Sequence, residues 1–336
     1  VRGGNATVHF PIWHPEIEDI LVLKNNKGTE DNRVRRMDYS IQISKLFYER
    51  FMNEEEITLI SPHQAPGLYD AFGTEEFDDL YLKYEADKTI PKKKVSAQDL
   101  FFDLLKERAE TGRIYIMNLD HCNTHSSFKD KVSMSNLCQE ITLPTTPIQH
   151  IDDGEGEIAL CILSAVNVGA LNDLSELENI CDLSVRALEQ IIDYQDYPVK
   201  AAEVSTKKRR SLGIGYIGLA HYLAKNGVKY SDPKAWELVD RLSEAFQYHL
   251  LRASCDIAME KGKCEGFERT KYADGLLPID HYKKDVDEIV PHKQRMAWES
   301  LRKDIAKHGL RHSTLSAQMP SESSSVVSNE TNGIEP

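Results

Sequence analysis

The chain has 336 residues, 40% of them apolar, which is enough for one large domain or two ordinary ones with a hydrophobic core. Its formal net charge of −13 argues against binding DNA or RNA along the surface. No run of eighteen apolar residues predicts a membrane span, and six cysteines in this length do not indicate a small disulfide scaffold. We therefore expect a globular protein of the reducing cytoplasm, where any disulfide would be transient.

Strand-like and helix-like runs alternate along the chain. Helices are predicted at 37–52, 97–112, 174–197 and 231–262, the last with Asp232 as N-cap and Pro233 at the first helical position. The run 210–220 predicts a strand entering a helix, and the basic runs 92–94 and 207–210 are expected to be solvated. Further strands are predicted at 6–13, 56–62, 113–120, 136–144, 156–169 and 310–320. This alternation favours an α/β fold with a largely parallel sheet, and it leaves an open sheet and a barrel equally possible.

The stretch "SNLCQEI" (135–141) carries the chemistry that the residues suggest. In extended backbone, Asn136, Cys138 and Glu140 point to one side, which would place an amide, a thiol and a carboxylate on one face. These groups could orient a hydroxyl, react through sulfur and take up a proton. A cysteine in an apolar strand is also an ordinary small core residue, so the residues alone leave both interpretations open. Cys161 follows 23 residues later, a distance that suits a strand, a turn and a neighbouring strand.

Two other motifs are weaker. "GIGYIG" (213–218) fits a dinucleotide-binding pattern, but a basic run precedes it and Asp232 opens a helix, so close backbone packing is the better interpretation. "DHCNTH" (120–125) resembles half of a zinc site without a second pair at suitable spacing, and no metal is expected. Cys181 and Cys255 are expected in the core, and Cys264 is expected to be exposed or half-buried.

The segments 135–141, 156–171, 210–232 and 309–336, with "DHCNTHS" and "IDYQDYP", together resemble the large (alpha) chain of class I ribonucleoside-diphosphate reductases. The resemblance runs in order along the whole chain. It implies a ten-stranded α/β barrel with the reactive cysteine on a finger loop in its centre, which replaces the strand prediction around Cys138 by a tight turn. It also implies that 1–336 is one catalytic barrel domain, without the N-terminal effector-binding region and the C-terminal tail. We accordingly expect a fragment or a split gene product that is inactive alone.

The resemblance implies a role for each site residue. Cys138 would become a thiyl radical that abstracts the ribose 3′ hydrogen, Glu140 would deprotonate the 3′ hydroxyl, and Asn136 would hold the substrate. Cys161 would be one member of the cysteine pair that supplies two electrons and ends as a disulfide. The remaining implied residues are Glu322, Ser323 and Ser324 for substrate binding, the two serines near the diphosphate, and Arg2 and Gly3 in the loop that adapts the site to the bound effector.

The implied partners are a metal-containing small (beta) subunit that supplies the radical, thioredoxin or glutaredoxin as reductant, and ribonucleoside diphosphates as substrates. The chain itself would bind no cofactor, and nucleoside triphosphate effectors would bind mainly outside it. The full alpha chain would form a homodimer, or a second polypeptide would complete the barrel. Two alternatives stay open, namely a cobalamin-dependent reductase with the same Asn–Cys–Glu core and an inactive nucleotide-binding or scaffold fragment of this fold.

Overall fold

The computed structural model describes residues 3–289 and 293–336, and they form two compact units. The first unit comprises 3–126 and 131–142, and the second comprises 127–130 and 143–336. Each unit has its own cluster of buried apolar side chains. Within the described residues, no helix is both long enough and apolar enough to cross a membrane.

Within the described residues, the first unit contains five strands and six α-helices. In chain order they are β1 (Thr7–Pro11), α1 (Ile17–Leu21), β2 (Asp38–Ile43), α2 (Lys45–Met52), β3 (Glu56–Ile60), α3 (Leu68–Ala71), α4 (Phe77–Ala86), β4 (Lys92–Ser96), α5 (Ala97–Thr111), β5 (Ile114–Asn118) and α6 (Leu119–His125). Helix α5 begins where the Ser96 side chain accepts from Asp99 N at 3.1 Å, and it ends at Gly112 in the left-handed region, as predicted.

A parallel sheet in the order β1–β2–β5 is the centre of the first unit. Polar and apolar residues alternate along β2, so Tyr39, Ile41 and Ile43 join the apolar core from one face of the sheet. Ser40 and Gln42 lie on the other face, which we call the polar face. The prediction of one helix over 37–52 is therefore wrong for its first half, where the period is two rather than 3.6.

Strands β3 and β4 form a separate antiparallel pair. The basic run 92–94 lies in β4, where Lys93 and Lys94 are exposed as predicted. Lys92 is half-buried, and its Nζ donates to the Tyr84 carbonyl at 3.0 Å, so this lysine ties β4 to the end of α4.

In its described part, the second unit contains two strands and six α-helices. In chain order they are β6 (Ile162–Asn167), α7 (Glu176–Tyr194), α8 (Lys200–Arg209), β7 (Leu212–Ile217), α9 (Leu219–Lys225), α10 (Pro233–Lys261), α11 (Trp298–His308) and α12 (Glu322–Ser328). The long helix α10 begins at Pro233 after Asp232, as predicted, although the Asp232 side chain makes no cap bond within the helix and accepts instead from Lys229 N at 2.8 Å.

Strands β6 and β7 are parallel, and the segment around Ser316 adds a single parallel bridge to Ile214 on the other edge of β7. The strand predicted at 310–320 is thus wrong except at that bridge. A Cβ on Gly215 would lie 2.3 Å from the Ala317 carbonyl oxygen, so only glycine permits this approach. The close-packing interpretation of "GIGYIG" is confirmed for Gly215, since backbone occupies the space that a side chain would need.

Two further predictions are corrected in the second unit. Arg209 and Arg210 are buried rather than solvated, because Arg209 pairs with Glu157 at 2.5 Å and Arg210 with Glu189 at 2.7 Å. Cys264 is buried, with its side chain packed in the apolar core. The core positions predicted for Cys181 and Cys255 are confirmed.

Candidate functional site

Cys138 lies in a tight turn within a loop, residues 133–142, that we call the finger loop. The Gln139 backbone N–H donates to the Asn136 carbonyl at 3.2 Å, which places Cys138 at the third position of a four-residue turn. Gln139 has a φ of 60°, a left-handed conformation that a non-glycine residue rarely adopts. An antiparallel β-bridge between Ser135 and Thr142 joins the two ends of the finger loop at its base. The turn therefore interrupts the regular alternation on which the first strand prediction rested.

The Asn136 side chain stabilises the turn by accepting a hydrogen bond from the backbone of the loop itself. Its Oδ1 accepts from the Ile141 backbone N–H at 3.3 Å, and the Ser135 hydroxyl donates to the Ile141 carbonyl at 2.6 Å. Because the amide oxygen is engaged in the loop, the group that Asn136 can offer to a ligand is its NH₂ donor.

Side chains from the polar face of the sheet hold the finger loop. Two of them come from β1 and two from β2. They occupy alternate positions of each strand, because alternate side chains point to the same face of the sheet. Three of these bonds end on loop carbonyls at alternate residues, and the fourth joins two side chains. They are Thr7 Oγ1 to Leu137 O (2.6 Å), His9 Nε2 to Ser135 O (3.1 Å), Gln42 Nε2 to Ser133 O (2.6 Å), and Gln139 Nε2 to Ser40 Oγ.

The Cys138 thiol is half-buried among acidic groups. Burial raises its pKa above the ordinary value, the charges of Glu140 and Asp38 raise it further, and Arg113 acts in the opposite direction. Tyr115 on β5 belongs to the same surroundings, because burial and then the charge of Cys138 raise the pKa of its phenol. The sulfur is thus protonated at neutral pH, which suits hydrogen-atom chemistry and disfavours a thiolate nucleophile.

Glu140 follows the turn and is partly buried. Its Oε2 is buried and has no hydrogen-bond partner among the described residues. An unpaired carboxylate oxygen in such a position is costly unless a ligand or water satisfies it. The geometry therefore offers a proton acceptor two residues from the thiol.

Cys161 lies in the second unit, directly before β6, and is half-buried. Its Sγ is 3.8 Å from the position that a Cβ on Gly213 would take, so the cysteine packs against β7. The same glycine position lies 3.2 Å from Ala317 Cβ. Cys161 and the segment before α12 thus pack against the same strand, β7.

The serine-rich segment forms the start of α12, which begins at Glu322. Ser321 and Ser325 are buried and bonded within the segment, Ser321 Oγ to Asn332 Oδ1 at 2.8 Å and Ser325 Oγ to the Glu322 carbonyl at 2.9 Å. The predicted substrate residues Glu322, Ser323 and Ser324 are all exposed on the first turn. The buried serines thus hold the segment together, and the three exposed side chains remain accessible to a ligand.

Of the two residues predicted for the effector-sensing loop, Gly3 is exposed with open space around its α-carbon. Arg2 lies outside the described residues.

The sequence interpretation missed the residues of the polar face, above all His9, Ser40 and Gln42. The alternation "DYSIQI" in 38–43 indicates a strand with one polar face. It does not show that this face lies beside the finger loop, because that depends on the parallel pairing of the strands. "DHCNTH" lies on α6, and His125 Nδ1 contacts the His121 carbonyl at 3.2 Å. In the described ranges 3–289 and 293–336, no group of three or more His, Cys, Asp or Glu side chains could hold a metal ion.

Comparison with known proteins gives a consistent result over the whole sequence. The family described as "Ribonucleotide reductase, barrel domain" matches residues 1–336. The chain is 59% identical over 341 residues to the ribonucleoside-diphosphate reductase subunit alpha of Haemophilus influenzae. It is 56% identical over 341 residues to the ribonucleoside-diphosphate reductase 1 subunit alpha of Escherichia coli, and 45% identical over 344 residues to the subunit alpha of Enterobacteria phage T4. Each match covers 100% of this chain and 45% of the relative, so the chain spans less than half the length of these proteins.

Proposed function

We propose a function for this chain from one premise, which is that it belongs to the ribonucleotide reductase barrel-domain family. It forms the barrel part of a class I ribonucleoside-diphosphate reductase alpha subunit and carries residues that reduce ribonucleoside diphosphates to 2′-deoxyribonucleoside diphosphates. The observation that carries this proposal is the finger loop, where one turn brings together an amide donor, a protonated thiol and an unpaired carboxylate oxygen.

The proposed reaction begins at the sulfur of Cys138. As a thiyl radical it takes the hydrogen atom from C3′ of the ribose, which leaves S–H on the enzyme and a radical on the sugar. The Glu140 carboxylate accepts the proton of the 3′ hydroxyl, and the Asn136 NH₂ group orients the sugar. The 2′ hydroxyl leaves as water after gaining a proton from the cysteine pair that is oxidised in the next step. The raised pKa of Cys138 supports this role, because a thiolate carries no hydrogen atom to return to C3′ at the end.

Two electrons must then reach the sugar. A cysteine pair supplies them and becomes a disulfide, and Cys161 is the member of that pair in this chain. Ser323 and Ser324 bind the diphosphate end of the substrate, and Glu322 binds beside them. Their exposure on the first turn of α12 supports this assignment, since backbone N–H groups of a first turn lack helical partners and attract anions. Arg2 and Gly3 respond to the bound effector.

The finer fold belongs to the same proposal. The family arrangement is a ten-stranded α/β barrel in which the Cys138 loop is the central finger, and the span 1–336 is part of that single catalytic domain. The parallel pairing of β1, β2 and β5, and of β6 and β7, supports it.

The proposed partners follow from the chemistry. The radical on Cys138 comes from a metal-containing small subunit, so this chain holds no cofactor of its own. Thioredoxin or glutaredoxin reduces the disulfide after each turnover. Nucleoside triphosphate effectors bind mainly outside this span, and the full alpha chain is a cytoplasmic homodimer or is completed by a second polypeptide. The names of the relatives, each a subunit alpha, favour a small-subunit partner over cobalamin.

The proposal is tested with serine variants in a complete reductase that carries this chain. Cys138→Ser should abolish deoxynucleotide formation, even in a single turnover. Cys161→Ser should block the repeated turnover that thioredoxin supports. Cys122→Ser on α6 is the matched control and should keep full activity. Normal product formation by Cys138→Ser would remove the radical role from this residue, and steady-state turnover by Cys161→Ser would remove it from the redox pair.

A further inference from the structure

The base of the finger loop is bonded to a histidine that the proposed reaction does not use. His9 lies on β1 opposite Ser40 of β2, and its Nε2 is 3.1 Å from the carbonyl oxygen of Ser135. Burial of the ring lowers the pKa of His9 below its ordinary value, so the ring is neutral at pH 7. A carbonyl can only accept, so Nε2 carries the proton and donates it to Ser135.

The second ring nitrogen, Nδ1, shows which contact holds the His9 ring in place. Its Nδ1 is buried and has no hydrogen-bond partner among the described residues. The bond to Ser135 is therefore the polar contact that fixes the ring. Leaving one ring nitrogen unpaired in a buried place costs stability, and such a residue calls for a functional explanation.

Ser135 is the point at which both limbs of the finger loop are joined. It pairs with Thr142 across the base, and its hydroxyl donates to the Ile141 carbonyl at 2.6 Å. A displacement of Ser135 would consequently move the limb before Cys138 and the limb after Glu140 together. The other two bonds to loop carbonyls reach Leu137, beside the tip, and Ser133, outside the bridge.

The geometry points to His9 as a positioning residue for the reactive cysteine. By holding the Ser135 carbonyl, it sets how far the sulfur of Cys138 reaches towards C3′ of the substrate. This inference rests on the proposed function and deepens it, because it assigns control of hydrogen abstraction to a side chain that touches neither the substrate nor the sulfur. Reaction rates are sensitive to such placement, and an error of about 1 Å can lower a rate by about 100-fold.

The test compares two substitutions in a complete reductase that carries this chain. His9→Phe keeps a flat ring and removes the donor, whereas His9→Gln keeps an N–H donor at nearly the same reach. His14→Phe is the matched control, because His14 is half-buried in the same unit and its Nδ1 accepts from the Glu16 N–H rather than from the finger loop. For each variant we would measure kcat, KM and the deuterium isotope effect with a 3′-deuterated substrate.

We expect His9→Phe to lower kcat by about 10- to 100-fold, with KM within about twofold of the parent and a larger isotope effect. The isotope effect rises because hydrogen abstraction becomes slower than the other steps. His9→Gln should recover most of the rate, and His14→Phe should behave like the parent. A general folding defect reduces the fraction of active enzyme and leaves the isotope effect unchanged.

Three results would overturn the inference. They are a His9→Phe enzyme with the parent's rate and isotope effect, a fall in rate with no change in the isotope effect, and a His9→Gln enzyme as slow as His9→Phe. The Cys138→Ser enzyme separates this failure from failure of the proposed function. If it is inactive while His9→Phe is normal, the reductase assignment stands and only the role of His9 is lost.

Discussion

At the scale of single residues, the surroundings of Cys138 oppose ionisation. Two carboxylates, Glu140 and Asp38, raise the pKa of the thiol after burial has already raised it, and the Arg113 guanidinium moderates them. Arg113 also pairs with Asp38 at 3.4 Å. A cysteine built for nucleophilic attack would show the reverse arrangement, with cations outnumbering anions.

This balance predicts opposite effects for two neutralising substitutions. Asp38→Asn should lower the pKa of Cys138 and speed its alkylation by iodoacetamide at pH 8 by a few-fold, since only the thiolate reacts. Arg113→Gln should raise that pKa and slow the reaction. Peptide mass spectrometry measures both rates. Cys122, whose pKa burial raises to about 11, is an internal control that should stay unreactive. Equal rates in both variants would contradict the electrostatic account.

The pKa of the Glu189 carboxyl group is also strongly perturbed. Burial would raise its pKa, but hydrogen bonds from His312 (3.0 Å), Arg210 (2.7 Å) and Arg311 (2.8 Å) outweigh it and lower the pKa to about 2. The folded pKa thus lies below the ordinary value of 4.5. Its contribution to stability is complete above pH 4.5 and is lost as the pH falls from there towards 2.

We therefore expect Glu189→Gln to reduce the free energy of unfolding by about 3 kcal/mol at pH 7. The difference from the parent should shrink as the pH approaches 2. Urea titrations at pH 7 and pH 3 measure it. Glu203→Gln is a control that should change little, because Glu203 is only half-buried and its ion pairs with Lys200 and Lys207 lie near the surface. A constant difference at both values would show that Glu189 does not carry this pH dependence.

At the scale of elements, sequence periodicity predicted long helices better than strands. The helices α5, α7 and α10 lie where apolar spacing placed them, because each buries one face over several turns. Apolar spacing predicts a helix through 38–43, which is strand β2, because six residues are too few to separate the two periods when helix α2 follows directly. The sequence shows a basic run at 207–210 but predicts no helix at 200–209. Arg209 at the end of α8 and Arg210 after it are buried by ion pairs with Glu157 and Glu189, which lie 52 and 21 positions earlier.

The residues of the candidate site also differ in how well the sequence alone predicts them. Asn136, Cys138 and Glu140 could be selected from a seven-residue stretch and a family resemblance, because their roles depend on local residue types. Thr7, His9 and Gln42 could not, because each acts on a loop about 90 to 130 positions later, and only the pairing of the strands brings them there. Long-range register is information that a single sequence carries weakly.

The packing of β7 against the segment around Ala317 gives a prediction about this element. Gly215→Ala should reduce the free energy of unfolding by about 1–3 kcal/mol, because a methyl group would meet backbone that cannot move aside. Gly213→Ala should cost less, since its nearest neighbour is the flexible end of the Leu163 side chain. Urea unfolding measures both, with Gly154→Ala as a control whose new Cβ would make only an ordinary contact, 3.7 Å from Lys200 Cγ. Equal stability of Gly215→Ala and the parent would contradict the close approach.

At the scale of the whole molecule, the chain matches its relatives over its full length and spans less than half of theirs. It includes the finger loop, Cys161 and α12, each within a described unit. The activity of the whole protein is therefore best examined in a hybrid, with this chain substituted for the matching span of the Haemophilus influenzae subunit alpha, which is 59% identical.

We expect the hybrid to reduce ribonucleoside diphosphates only when a radical-generating small subunit is added. Adenosylcobalamin without that subunit should give no product. Chromatographic detection of deoxynucleotides measures the outcome, with the unmodified Haemophilus influenzae protein as positive control. Product formed with cobalamin alone would favour the cobalamin-dependent alternative, and a folded but inactive hybrid would favour the scaffold alternative.

The carbonyl anchors of the finger loop have an evolutionary consequence. Ser133, Ser135 and Leu137 accept their bonds through main-chain oxygens, which every amino acid possesses. Mutations at these three positions can therefore accumulate without severing the attachment, whereas mutations of the donors on β1 and β2 cannot. Divergence among descendants of this chain should therefore be tolerated at Ser133 and Leu137 and resisted at the donors on the strands that hold them.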